Sequence, residues 1–170
     1  VTVDLESGYG ADPEAVGRAV TRTIEAGAIG CNLEDSFPES GKLRGIVDQI
    51  ARIEHARKAA VAAGIPYFIN ARTDVFFQKP AAAHDLSMLA EALERASAYS
   101  NAGADCLFVP GLIDRALIAR LVEASPLPIN IMVGDNTPSL TALAQMGVVR
   151  VSHGPGPYLA MMNLLERAAH

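Results

Sequence analysis

Short apolar runs alternate along this chain with longer segments whose apolar positions recur at helical spacing. Six runs read as strands: VTVDLE (1–6), AIGCNL (28–33), PYFINA (66–71), DCLFV (105–109), PINIMV (128–133) and VVRVS (148–152). The segments between them read as helices over about 12–27, 46–63, 85–103 and 114–124, with a short one from Pro138 to Gly147 and a last one from about Pro157. Asp12-Pro13 supplies an N-cap and then a proline whose fixed φ suits a first turn. Glycines at 27, 64, 103 and 147, spaced by 37, 39 and 44 residues, each follow a predicted helix. A glycine there supplies the left-handed residue that turns the chain back toward the next strand. Strict βα alternation implies a parallel sheet covered by helices.

Two architectures fit such a series: an open doubly wound sheet, or a segment of an eight-unit barrel. In an open sheet both faces are covered and the strands are apolar throughout. Here polar residues share one parity: Thr2, Asp4 and Glu6; Asn32 and Glu34; Asn70 and Arg72; Asn130. Period two places each set on one face, near the C-terminal end of its strand, where a barrel has its mouth. GYGADP after the first run lacks the spacing of a dinucleotide fingerprint. The expected fold is therefore α/β, a (β/α)8 TIM-type barrel, in a single domain spanning 1–170 with no internal linker. A complete barrel takes about 250 residues. With 170 residues, and with Val1 opening inside a strand, the chain is expected to lack two units of a longer polypeptide.

Half of the residues are hydrophobic and 19% are charged, which predicts a packed core. The formal charge of −5 disfavours nucleic acid and anionic membrane surfaces as partners. Cys31 and Cys106 lie in apolar runs with no CxxC or Cys/His cluster, so free buried thiols and a cytoplasmic setting are expected, and a zinc site is not.

The candidate chemistry is acidic. Asp4 and Glu6 would point the same way from one strand, and Glu34 and Asp35 end the next. Carboxylates gathered at one mouth repel unless a cation neutralises them. An all-oxygen set calls for Mg²⁺ or Mn²⁺, with helix capping or pairing to lysine as the alternative. Arg72 shares a face with Asn70 and could grip a substrate carboxylate in bidentate fashion, or form an ion pair with Asp74 or Asp35. Gly8-Tyr9-Gly10 could let backbone approach a substrate or merely make a tight turn, and Asn130 could bind a substrate oxygen or fill a barrel layer. His153 reads as an exposed loop residue, and Ser36 has no histidine with which to form a nucleophile–base pair.

VDLESGYG, NLEDS and NARTD, in that order on successive strands, together with GADCLFVPGL and PLPIN, resemble the isocitrate lyase / phosphoenolpyruvate mutase superfamily over essentially the whole chain. The resemblance implies that VDLESGYG is the third barrel strand, so that strands three to eight are present. It implies Mg²⁺-dependent making or breaking of C–C or P–C bonds in small 2-oxo or 2-hydroxy carboxylates through a metal-stabilised enolate. By position Asp4 resembles the direct metal ligand, Glu6 and Glu34 the acids that hold the metal largely through its waters, and Arg72 the substrate-gripping arginine. Asp4, Glu34 and Arg72 form the expected catalytic set, with Arg72, Asn130, Gly8 and Tyr9 around the substrate. Homodimers or homotetramers joined through a terminal helix are implied as well. The loop DSFPESGKLRG departs from the pattern: it has neither the cysteine and histidine of the family's cysteine-bearing lyases nor the Lys-Asn-Ser-type segment of the mutases. Gly111 stands where many lyases have a glutamate. The readings left by these departures are a lyase or decarboxylase, a P–C mutase or hydrolase acting on a phosphonopyruvate-like substrate, and a non-catalytic 2-oxo-acid binder.

Overall fold

Most helices of the computed structural model, which describes residues 1–169, begin at a side chain that accepts from their own first turn. Asp12 accepts from the Ala15 amide and starts α1 (Pro13–Glu25); Asp85 accepts from Ser87 and Met88 and starts α3 (Leu86–Asn101). Asp114 starts α4 (Arg115–Ala124) and Ser139 starts α5 (Leu140–Gln145) in the same way. These caps satisfy amides that would otherwise lack partners. α2 (Ile46–Ala62) and α6 (Gly156–Ala169) complete the α-helices, and two short 3-10 turns, Val75–Phe77 and Ala81–Ala83, lie between α2 and α3 in the chain.

The strands are β1 (Val3–Asp4), β2 (Gly30–Glu34), β3 (Phe68–Arg72), β4 (Cys106–Val109), β5 (Ile129–Met132) and β6 (Arg150–Ser152). They form one parallel sheet in the order β1-β2-β3-β4-β5-β6. Every connection steps in the same direction. A doubly wound sheet reverses its strand order at a switch point; this one does not, and it curls into a half-barrel with the helices outside.

Parity along the strands separates the two faces as the sequence predicts. Leu33, Ile69, Ala71, Leu107, Val109, Ile129 and Ile131 belong to the hydrophobic core, which also takes Val16 and Val20 of α1, Ile53 of α2, Ala92 of α3 and Ile118 of α4. The opposite parity carries polar and aromatic groups in register: Glu34 beside Arg72, Arg72 beside Phe108, Phe108 beside Asn130. Cys31 and Cys106 are free and buried, and burial pushes both thiols up to about 12. No helix among the described residues is long and apolar enough to cross a membrane.

Two features differ from the sequence expectation. The first strand is much shorter than VTVDLE: it ends at Asp4, and Glu6 adopts a left-handed backbone with φ of 48°. The period-two argument that aimed Asp4 and Glu6 alike therefore fails at Glu6. The last helix, α6, buries none of its residues, and Leu159, Met161, Leu164 and Leu165 are all exposed. Its apolar side chains do not pack on this chain's own sheet.

Candidate active site

Arg72 ends β3 on the polar face and is held on three sides. Its Nε donates to Asp74 Oδ1 (2.6 Å), its Nη2 donates to Asp74 Oδ2 (3.1 Å), and its Nη1 lies 2.9 Å from Glu34 Oε2. The rings of Phe77 and Phe108 lie against the guanidinium, with centroids 5.5 and 6.0 Å from its central carbon. The Ser36 hydroxyl sits 2.7 Å from Asp74 Oδ2 and 3.2 Å from Glu34 Oε1, tying the two acids together. A guanidinium has five N–H donors. These contacts leave at least one on each terminal nitrogen, the edge that matches a carboxylate in bidentate fashion.

The charges are mutually tuned. Burial pushes the Glu34 carboxyl up; Arg72 and Ser36 pull it down, Asp74 and Asp4 push it up, and the outcome is a raised value. Burial works against the Arg72 charge, but Asp74, Glu34 and Asp4 outweigh it and hold the guanidinium more firmly protonated. Asp4 thus acts electrostatically on both partners of the central pair. It is exposed at the end of β1, and the protein atom donating to it is the Glu6 amide (3.1 Å).

Glu6 reaches this site through its backbone: its carbonyl accepts the Glu34 amide (2.8 Å). Its side chain lines a groove of about 510 Å³ with Tyr9, Phe37, Glu39 and Arg44. Of the expected substrate contacts, Tyr9 borders that groove and is 65% exposed. Gly8 forms a tight turn, and a Cβ on it would lie 2.7 Å from Val16 Cγ2. Asn130 is fully buried and donates to the Ser152 hydroxyl (3.0 Å). Among the described residues no three Asp, Glu, His or Cys side chains gather into a preformed cage for a metal ion. Asp4 and Glu34 still fit Mg²⁺ by donor type, since this ion is commonly held by one or two carboxylates with waters and substrate completing its shell.

Asp35, the second acid at the end of β2, is completely buried and serves a different purpose. It accepts from the Tyr99 hydroxyl (2.7 Å), Arg95 Nη1 (3.1 Å) and the Asp74 amide (2.9 Å). It therefore fixes the residue that fixes Arg72. Of the two acids suggested as ion-pair partners for Arg72, Asp74 makes the contact and Asp35 pairs with Arg95. Arg95, Tyr99 and the Ser36 contact escaped the sequence reading. Arg95 left one signal: a charged residue on the buried stripe of α3, beside Ala92 and Ala96. Phe77 explains part of the departure at Gly111. The glycine has φ of 84°, and a Cβ there would meet Phe77 Cδ1 at 2.7 Å.

A family model, phosphoenolpyruvate phosphomutase, matches residues 1–170. The chain belongs to this family, within the isocitrate lyase / phosphoenolpyruvate mutase superfamily. A Burkholderia cenocepacia crystal structure, provisionally described as a phosphonomutase, superposes with a TM-score of 0.97 at 57% identity and covers 99% of this chain and 68% of that one. An uncharacterised Mycobacterium tuberculosis protein is 34% identical over 172 residues, covering 99% of this chain and 60% of its own length. The 2-methylisocitrate lyase of Escherichia coli is 33% identical over 146 residues, covering 82% of this chain and 47% of the enzyme. The chain thus spans about two-fifths to three-fifths of the length of the curated relatives it matches.

Proposed function

We propose that this chain is the C-terminal six βα units of a (β/α)8 barrel in a Mg²⁺- or Mn²⁺-dependent lyase that cleaves or decarboxylates a small 2-oxo or 2-hydroxy (di)carboxylate. The observation that carries this reading is the free edge of Arg72 beside Glu34 and Asp4. Arg72 takes the substrate carboxylate through its terminal N–H groups while Asp74, itself tied to Glu34 by the Ser36 hydroxyl, holds the guanidinium in plane. Phe77 and Phe108 screen this contact from water and strengthen it. Asp4 and Glu34, with Glu6 reaching the metal through water, would hold the cation, which when bound supplies Lewis-acid polarisation of the 2-oxo group. In decarboxylation of a 2-oxo diacid the C3–C4 bond breaks, CO₂ leaves, and the electron pair passes into the C2 carbonyl to give an enolate that is then protonated at C3.

The likeness to the Burkholderia protein provisionally described as a phosphonomutase supports a second reading, P–C bond chemistry on a phosphonopyruvate-like substrate. The loop without cysteine or histidine supports a third, a non-catalytic binder of 2-oxo acids. The exposed apolar residues of α6 support a homo-oligomer. One panel separates the three functions. Mg²⁺-dependent turnover of oxaloacetate-like or methylisocitrate-like acids by the full-length protein, abolished by EDTA and by Asp4→Ala, is expected. Conversion of phosphonopyruvate followed by phosphorus NMR would favour the second reading, and tight binding without turnover the third.

A further inference from the structure

We propose that Arg52 is a positioning residue, a buried guanidinium that clamps the carbonyls of Ser7, Gly10 and Ala11 and so fixes the loop whose Glu6 carbonyl accepts the Glu34 amide. Arg52 lies in α2 and is completely buried. Its Nη2 donates to the Ser7 carbonyl and to the Gly10 carbonyl (2.9 Å), and its Nη1 donates to the Ala11 carbonyl (3.3 Å). None of the ion pairs among the described residues includes it. A cation sealed from water without an acid is costly unless its donors are used. An apolar side chain of similar length would avoid that cost, so what the guanidinium contributes is the set of carbonyls it gathers.

Those carbonyls belong to an unusual stretch of backbone. Glu6, Gly8 and Tyr9 have φ of 48°, 97° and 53°, three left-handed residues within four positions, and two of them carry side chains. Such backbone persists only where its surroundings over-determine it. The Arg52 fork draws both ends of the turn to one rigid plane, and the Leu5 carbonyl accepts the Gly8 amide across it (2.6 Å). The effect reaches the site through the Glu6 carbonyl, which accepts the Glu34 amide. Glu6 and Tyr9 also line the groove formed with the 37–44 segment. The clamp itself is independent of the reaction, whereas its consequence for turnover rests on the lyase reading above.

The test uses Arg52→Met and Arg52→Lys in the full-length protein, read by hydrogen exchange and steady-state kinetics. In Arg52→Met, exchange of the Gly8 and Glu34 amides, which donate to the Leu5 and Glu6 carbonyls of this loop, is expected to accelerate at least about tenfold while interior amides of α2 keep their protection. Lysine keeps a cation with three donors and is expected to restore part of the protection. Turnover should fall roughly hundredfold in Arg52→Met, more in kcat than in KM, and recover partly in Arg52→Lys. Wild-type exchange of the Gly8 and Glu34 amides in folded Arg52→Met would overturn the clamp. A loosened loop with unchanged kcat would overturn the positioning role. Should Arg52→Met fail to fold, Arg52→Lys decides, with faster loop exchange at an unchanged melting temperature supporting the clamp and unchanged exchange refuting it. Exchange is read without turnover, so a protein inert toward every 2-oxo acid still reports on Arg52.

Discussion

Glu34 and Asp35 are neighbours at the end of β2, yet they serve two regions built in opposite ways. Behind the sheet, Asp35 is sealed with Arg95 and Tyr99 and its oxygens are engaged by a guanidinium, a phenol and an amide. At the mouth, Glu34 and Arg72 are partly exposed, and the guanidinium keeps unengaged N–H groups on both terminal nitrogens. The first region spends its hydrogen-bonding capacity on itself and can only be structural. The second holds capacity in reserve, in a half-buried setting where a further charge-assisted bond is strong. A polar cluster becomes a candidate site through the bonds it has not made.

The comparison can be broken most sharply at Asp35. Asp35→Ala strips Arg95 Nη1, the Tyr99 hydroxyl and the Asp74 amide of their shared buried acceptor, while Arg95 keeps Glu91, and should cost about 3–5 kcal/mol in denaturant unfolding. Arg72→Lys removes the planar fork at the mouth. Its expected cost is roughly 10²–10³-fold in kcat/KM with little change in unfolding free energy. If the stability losses were equal at the two positions, the division between the regions would be wrong. Gly111→Ala places a Cβ against Phe77 at a backbone angle suited to glycine. A loss of about 1–3 kcal/mol is expected, together with weaker carboxylate binding as the ring is pushed across Arg72. The smallest effect is the pH dependence of Glu34→Gln. The folded state holds the Glu34 proton more tightly than the unfolded chain does, so folding takes up a proton in that range. This group's contribution is therefore fully present below the ordinary glutamate value and is lost as pH rises through the raised folded value. Glu34→Gln should remove that decline, which a comparison of the two stability–pH curves reads directly.

Much of this architecture is legible in the amino-acid order because it is set locally. Capping aspartates, post-helical glycines and the period-two separation of Leu33 from Glu34 and Ala71 from Arg72 each act within one βα unit. The end of β1 was not legible, because Glu6 and Tyr9 take left-handed backbone that is secured from α2 by Arg52, some forty positions away in sequence. The bond from Asp35 to Arg95 was hidden for the same reason, since it joins residues 60 positions apart. Both arginines still betray themselves as charges on the buried stripes of their helices. Such misplaced charges are the sequence signal to follow when tracing what holds a mouth in shape.

The most direct test of the central claim is calorimetric titration of the full-length protein with oxalate, a planar mimic of a 2-oxo acid's enolate, in Mg²⁺ and in EDTA, for wild type and Arg72→Lys. The account predicts binding that requires Mg²⁺ and weakens at least about tenfold in the variant, the scale of one lost charge-assisted bond. Equal affinity in EDTA and in Arg72→Lys would contradict it.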